Sequence, residues 1–464
     1  MKKIAFLFLG LLPGAFAPLL SQNPWKQAKA IVQSIERPAF PNREVSVLSL
    51  GAKPDGITDC LPALKAAIAQ MHEQGGGKVV VPPGTYRLNG PIHLRSNVNL
   101  YLAEGATLNF STNPEHYLPL VETTWEGIGC MNYSPLVYAF EQENIAITGK
   151  GVLDAQGSNE NWWPWCGAKS YGWTDGMPSQ RNPGNRPGLM EMNTREVPPT
   201  QRIMGPGHYL RPSFVEPFRC TRVLIEGVTL KNAPFWVMHP VYCKDVTVRG
   251  VKVISHGPNN DGCDPEACDN VLIEDCYFDT GDDCIALKSG RNQDGRRNNR
   301  AIENVVIRNC IMKDGHGGVV IGSEVSGGAR NIFAENCQMD SPNLDRAIRI
   351  KTNRARGGVI ENLYFRNIVV GQVAEAVVKV NMHYTLDGET DVLIPTIRNI
   401  QVENVRSTKS PYGIMVLGYD EAHPVEGLHI RKCRFDGVEK GNRIEHAKGL
   451  RLEKVRINGV MAKP

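Results

Sequence analysis

A short strand-and-turn unit recurs nine times from about residue 221 onward and constrains the fold of this chain more than any other feature. It reads Arg222-Val-Leu-Ile-Glu-Gly-Val228, Asp245-Val-Thr-Val-Arg-Gly-Val251 and Asn270-Val-Leu-Ile-Glu-Asp-Cys276 in its first three copies. Copies ending at Cys310, Cys337, Ile368, Val405, Cys433 and Val455 follow, about 28 residues apart on average. Each unit alternates apolar and polar residues, the signature of a strand with one buried face. No strong helical stretch separates the copies. A coil of three short strands and three turns needs little more than twenty residues. The repeat therefore predicts an all-β chain: a right-handed parallel β-helix, a single-stranded solenoid whose equivalent side chains stack from coil to coil. The recurring Asn and Cys positions fit turn-forming and small buried residues stacked in ladders.

The N-terminal part fits the same plan. Asp59 can cap a helix from Cys60 to about Gln74, with Leu61, Leu64, Ala67, Ile68 and Met71 on one stripe and Gly75-Gly-Gly at its end. Such a helix would cover the open end of the solenoid, which otherwise exposes strand edges. Length alone suggests about three domains, but the repeat predicts one β-helix domain over 22–464. It carries an N-terminal cap at about 45–90 and an insertion at 159–216. That insertion holds Trp162, Trp163, Trp165 and Trp173 among many Pro and Gly. A loop this long is usually functional. Tryptophan suits the flat faces of sugars, and bracing of the loop against the solenoid is the competing reading.

Residues 1–21 read as a signal peptide: Lys2 and Lys3, an apolar run to Leu20, and Ala15-Phe16-Ala17 as a small-x-small site. The mature chain is expected to be exported, periplasmic or secreted, with no membrane span. Twelve cysteines show no zinc-type spacing, and no metal or cofactor is called for. A net charge of only +4 argues against nucleic acid as partner.

Four segments carry the chemistry. Asp261, Asp282, His316 and Arg349 follow one another at 21, 34 and 33 residues, each about one coil. The strands beginning at Asp282, His316 and Asp345 align. Period two then turns Ile285, Leu287, Val319, Ile321, Ile348 and Ile350 inward and Asp282, His316, Arg349 and Lys351 outward. Asp283 has inward parity but stands at the strand's start, where the turn can still present it. Clustered carboxylates resist joint ionisation, so one stays protonated and can act as an acid. Acid and base across a glycosidic bond are the chemistry of glycoside hydrolysis. Arg349 and Lys351 beside them would bind an anionic sugar. Ser255-His256-Gly257 imitates Gly315-His316-Gly317 but lies off this column, and His256 reads as a loop residue.

Asn259-Asn-Asp261-Gly, Gly281-Asp-Asp-Cys284, Gly315-His-Gly317 with Ile321-Gly-Ser323, and Arg349-Ile-Lys351 resemble, in order and spacing, the four signature motifs of the polygalacturonases. These are pectin-degrading glycoside hydrolases of family 28. Gly51-Ala-x-Pro-Asp-Gly-x-Thr-Asp59 resembles the start common in pectin-active β-helices. The resemblance implies inverting hydrolysis of α-1,4-linked galacturonic acid in a pectic oligo- or polysaccharide. Asp282 is then the general acid, Asp261 and Asp283 activate water, and His316 supports the acid's protonation and contacts substrate. Asn259, Arg349, Lys351 and Tyr384 bind substrate, with Arg349 and Lys351 on a galacturonate carboxylate. Asn260 departs from the Thr of many relatives but only flanks Asp261. The Trp-rich insertion resembles elements that close the cleft in exo-acting members, so removal of terminal galacturonate is expected. An exo-acting galacturonidase on rhamnogalacturonan fragments and a non-catalytic carbohydrate-binding β-helix are the alternatives. A pectate lyase, which usually needs calcium, is disfavoured.

Overall fold

The computed structural model describes residues 23–463; the expected signal segment lies outside them. The chain winds as a right-handed parallel β-helix, its strands pairing in parallel with their equivalents one coil away; Val121–Trp125 with Ile128–Asn132 and Arg456–Ile457 with Val460–Met461 pair antiparallel. The repeat units form one face: Thr221–Glu226 pairs with Lys244–Arg249, and that with Asp269–Glu274. A short second strand follows each unit, as Thr229–Lys231 does before Lys252–Ser255. A third face carries Ile285–Leu287, Val319–Ile321 and Arg346–Lys351 in register.

Inward parity holds. Ile285, Val319, Ile348 and Val378 are Cα partners through four coils, as are Leu287, Ile321, Ile350 and Val380, and all are fully buried. The unit's turn positions explain its asparagines. Asn270, Asn304, Asn331, Asn362 and Asn399 all have φ between 54 and 59°, the left-handed region that Asn enters at lower cost than most residues. Their amides also stack: Asn331 Nδ2 donates to Asn304 Oδ1 at 3.0 Å and Asn399 Nδ2 to Asn362 Oδ1 at 2.7 Å. All twelve cysteines are buried free thiols, with Cys276, Cys310, Cys337 and Cys433 inside the core.

Helix α1 (Pro24–Ser34) has no counterpart in the sequence reading. Ala28, Ile31 and Ile35 lay it on the outside of the solenoid, over Leu272, Val306, Phe333 and Tyr364. Helix α2 (Leu61–Glu73) is the expected cap. The Asp59 carboxylate accepts the Leu61 N–H at 3.1 Å, and Leu64, Ala67, Ile68 and Met71 close the first coils. The insertion at 159–216 is not a bare loop: it contains helix α3 (Arg186–Thr194) and several single turns.

One outward row is held by charge. Glu226, Arg249, Glu274, Arg308, Glu335, Arg366, Glu403, Arg431 and Glu453 are successive register partners, strictly alternating in sign. Opposite charges across paired strands stabilise a sheet, and like charges do the reverse. Glu274 is nearly buried between Arg249 at 2.5 Å and Arg308 at 2.8 Å. Burial alone would raise its carboxyl, but the two guanidiniums outweigh it and hold the group below its ordinary 4.5. A depressed carboxylate stabilises the fold above its ordinary value, and that contribution vanishes as pH falls through the folded value. Glu274→Gln should therefore cost ~1.5–3 kcal/mol at neutral pH, the scale of charged hydrogen bonds. Thermal melts of variant and wild type should converge as the pH falls from the ordinary 4.5 through the lower folded value; a constant gap would refute the assignment.

Candidate active site

The three aspartates meet on the third face. One oxygen of each of Asp261, Asp282 and Asp283 lies within 4.8 Å of the others. Local backbone puts them there. Asn260, fully buried, accepts from Ser255 Oγ at 2.6 Å and from the Gly257 N–H at 2.9 Å, which fixes the turn before Asp261. A Cβ on Gly281 would stand 2.4 Å from the Gly257 carbonyl, so only glycine lets the Asp282 turn rest against the coil before it. Cys284 and Ile285 both enter the core, so alternation breaks between them and Asp283 is presented outward at the strand's start.

Each carboxylate has different company. Asp283 is fully buried and accepts from Arg349 at 3.1 Å and Lys351 at 2.7 Å. Desolvation opposes its charge, but Lys351 and Arg349 prevail and keep it ionised, far below the carboxylate range. Asp282 borders the cleft and accepts from His316 Nδ1 at 2.9 Å and from the Asp283 N–H at 2.9 Å. Burial acts against its charge, and the His316 contact outweighs it and lowers the group. The same contact raises His316 from 6.5 to about 9. Asp261 is buried, with Oδ1 unpartnered. Burial, and next the Asp282 charge, push it well above the ordinary range. Of the two neighbours, Asp261 is thus pushed towards its protonated form and Asp282 towards its ionised form. His316 stands beside Asp282 as expected, and as a cation it favours the ionised form of that carboxylate.

The sequence reading passed over Lys288. Its Nζ lies 3.2 Å from Glu324, 3.7 Å from Asp261 and 3.8 Å from Asp264, and 4.7 Å above the Trp236 ring. Lys288 follows the strand Ile285–Leu287, six residues after Asp282. Unbroken period two over that segment would put both on one side, a signal present in the sequence. Asp264 is buried with neither oxygen hydrogen-bonded, and desolvation raises it too.

The cleft has a volume of about 600 Å³. Asn259, Asp261, Asp282, His316, Lys351 and Tyr384 line it, whereas Asp283 and Arg349 stand behind that wall. Arg349 and Lys351 lie 5.7 and 5.2 Å from the Tyr384 ring, and both pair with Asp283 rather than standing free for substrate. Asn259 Oδ1 accepts from the buried Arg211, which also binds Gln180 of the insertion. His256 lies apart, 3.1 Å from Asp279. The aspartate trio is compact enough to share a cation, as is His256–Asp279–Asp314. At the trio, however, Lys288, Arg349 and Lys351 already supply positive charge. Two oxygens so close can both hydrogen-bond one water, whose bonds span about 2.7 Å each.

The insertion builds a wall of this cleft, but not with its tryptophans. Trp162 is buried against Tyr117 and Trp165, and Trp163 Nε1 donates to the Ala233 carbonyl. Trp173 Nε1 donates to the Met177 carbonyl. None of the four borders the cleft; Tyr171, Gln180, Arg181 and Arg186 do. Arg186 pairs with Asp387 at 2.8 Å, joining the insertion to the segment that follows Tyr384.

Comparison with known proteins gives the family and agrees with the fold. Residues 207–454 match the family model of the glycosyl hydrolases family 28, and 44–112 that of rhamnogalacturonase A/epimerase, pectate lyase-like. A probable polygalacturonase of Vitis vinifera is 29% identical over 73% of this chain. An exo-poly-alpha-D-galacturonosidase of Dickeya chrysanthemi is 27% identical over 81%. The chain spans 64% of the length of each of these two relatives. The solved structure of a hyperthermoactive exopolygalacturonase from Thermotoga maritima superposes with a TM-score of 0.91 at 43% identity, covering 95% of this chain and 97% of that one.

The ion pair makes a direct spectroscopic prediction. The His316 ring proton should titrate near pH 9 in an NMR series, and in Asp282→Asn should fall back towards 6.5. An unchanged midpoint in the variant would remove Asp282 as the cause.

Proposed function

The chain belongs to glycosyl hydrolases family 28, and from that premise we propose that it releases terminal galacturonic acid from α-1,4-linked galacturonan by inverting hydrolysis. The observation that carries the exo mode is the junction of Arg186 with Asp387. There the insertion and the segment after Tyr384 meet at the cleft wall, a junction that supports reading the cleft as closed on that side. A closed cleft admits a chain end, not the middle of a polymer. The Dickeya and Thermotoga relatives, named for exo action, support the same reading.

Asp282 is the carboxyl with access to a leaving oxygen: it borders the cleft, and 16% of its side chain is exposed. One proton serves the cluster. On Asp282 it is ready for the glycosidic oxygen, and Asp261 is then free to accept a proton from water. Asp283, ionised throughout, shares that water and orients it towards the anomeric carbon. The C–O bond breaks as the water oxygen attacks from the opposite face, and the sugar leaves with inverted configuration. His316, cationic beside Asp282, steadies the carboxylate left after donation. Lys351, at the cleft wall with donors to spare beyond Asp283, suits the carboxylate of the departing sugar. A neutral rhamnose there would have no use for it. The lysine-led apolar N-terminus supports export to where pectic polymers occur.

Asp282→Asn should lower kcat by at least ~10²-fold with the fold intact by circular dichroism, the scale of a lost general acid. Wild type acting on polygalacturonate should release monomer while viscosity falls slowly. A steep viscosity loss with few reducing ends would mean internal cleavage and end the exo reading.

A further inference from the structure

A second outward row departs from the alternation that runs from Glu226 to Glu453. Arg406, Arg434 and Arg456 are register partners in the last three coils, three like charges in one row. All three are exposed. Paired strands stand about 4.8 Å apart, so the guanidiniums form a cationic file roughly 10 Å long. Like charges directly opposite destabilise a sheet, and the neighbouring Glu–Arg row shows that this fold places opposite charges there elsewhere.

A second row turns basic in the same coils. The sharp turn after the repeat strand holds Asn309, Asn336, Asn367 and Asn404 at φ between 52 and 56°. In the next two coils the position is Lys432 and Lys454, at φ 52 and 54°. Lysine enters the left-handed region less readily than asparagine, and it also lacks the amide that stacks Asn404 on Asn367 at 2.8 Å. Backbone preference and charge repulsion both oppose these choices, and both rows make them together.

The two rows enclose a groove of about 610 Å³, lined by Arg406, Lys432, Arg434, Lys454 and Arg456, with Asp436 as its acid. Asp436 accepts from Arg434 at 2.6 Å, and Lys432 binds Glu403 at 3.1 Å. Arg406, Lys454 and Arg456 have no acidic partner among the described residues. None of these residues borders the catalytic cleft, which opens on another face.

We propose that this groove is a second carbohydrate site, which binds a polyuronate chain along the solenoid axis through its carboxylates. It rests on the proposed action on galacturonan. A polyuronate carries one carboxylate per sugar, a regular line of charge that a regular file of guanidiniums can follow. Bound there, a long chain stays near the enzyme while its end is trimmed in the cleft, and the local concentration of chain ends rises.

The test uses the full chain with Asp282→Asn, which keeps polymer intact during binding. Affinity electrophoresis in gels containing long polygalacturonate should show retardation. Adding R406Q, R434Q and R456Q together should weaken apparent binding at least ~10-fold, with the difference shrinking as salt rises. Arg→Lys at the same three positions should restore most of the retardation, because the charge returns. In the active enzyme the glutamine triple variant should raise KM on polymer and leave kcat and KM on trigalacturonate unchanged. Undiminished polymer binding by a folded triple variant overturns the proposal. So does equal arginine-dependent retardation by dextran sulfate or DNA, which would make the groove a generic polyanion patch. Wild type that binds polygalacturonate through the groove without hydrolysing it would overturn the proposed function and leave this site standing.

Discussion

Parallel pairing between equivalent strands governs everything else in this molecule. Because Ile285, Val319, Ile348 and Val378 stand in one buried row, each neighbouring position is a row as well. Residues some thirty positions apart in the chain become neighbours at the spacing of hydrogen-bonded strands. Asp282 reaches His316, and Asp283 reaches Lys351 across 68 residues, without any dedicated loop to bring them together. The core rows fix the register, and the outward rows inherit it. Catalytic geometry here is a by-product of core packing, so a slip of one residue in one strand would scatter it.

Within that frame, the distribution of cations decides what each carboxylate does. Buried charges are tolerated only when paired. Asp283 takes Arg349 and Lys351, and Glu324 takes the nearer contact with Lys288. Asp261 and Asp264 are left with the longer contacts to Lys288, and burial pushes both up. Three chemically identical side chains thus become a fixed anion, a carboxyl raised by burial and one lowered by His316. Substituting Lys288, which itself borders the cleft, would therefore disturb the titration of Asp261.

The solenoid was legible because its signal is local: every repeat unit shows period-two alternation within seven residues. The motifs were legible because coil length sets their spacing. What escaped the sequence depends on distant partners. Helix α1 is held by Leu272, Val306, Phe333 and Tyr364, outward residues of strands far along the chain, which look like ordinary exposed positions until the helix covers them. The tryptophans suggested sugar stacking by type alone, but Trp162 and Trp163 find Tyr117 and the Ala233 carbonyl, which no local pattern announces. Lys288 and the alternating fifth position of the repeat were readable, since both follow from parity and alignment.

The alternating row from Glu226 to Glu453 also bears on how such a chain can change its length. Excising one coil from the middle, or duplicating one, would bring arginine onto arginine or glutamate onto glutamate at the new junction. Excising or duplicating two restores the sequence of signs. Growth and trimming of this solenoid are therefore expected to favour pairs of coils, with the charge row acting as a parity check on recombination.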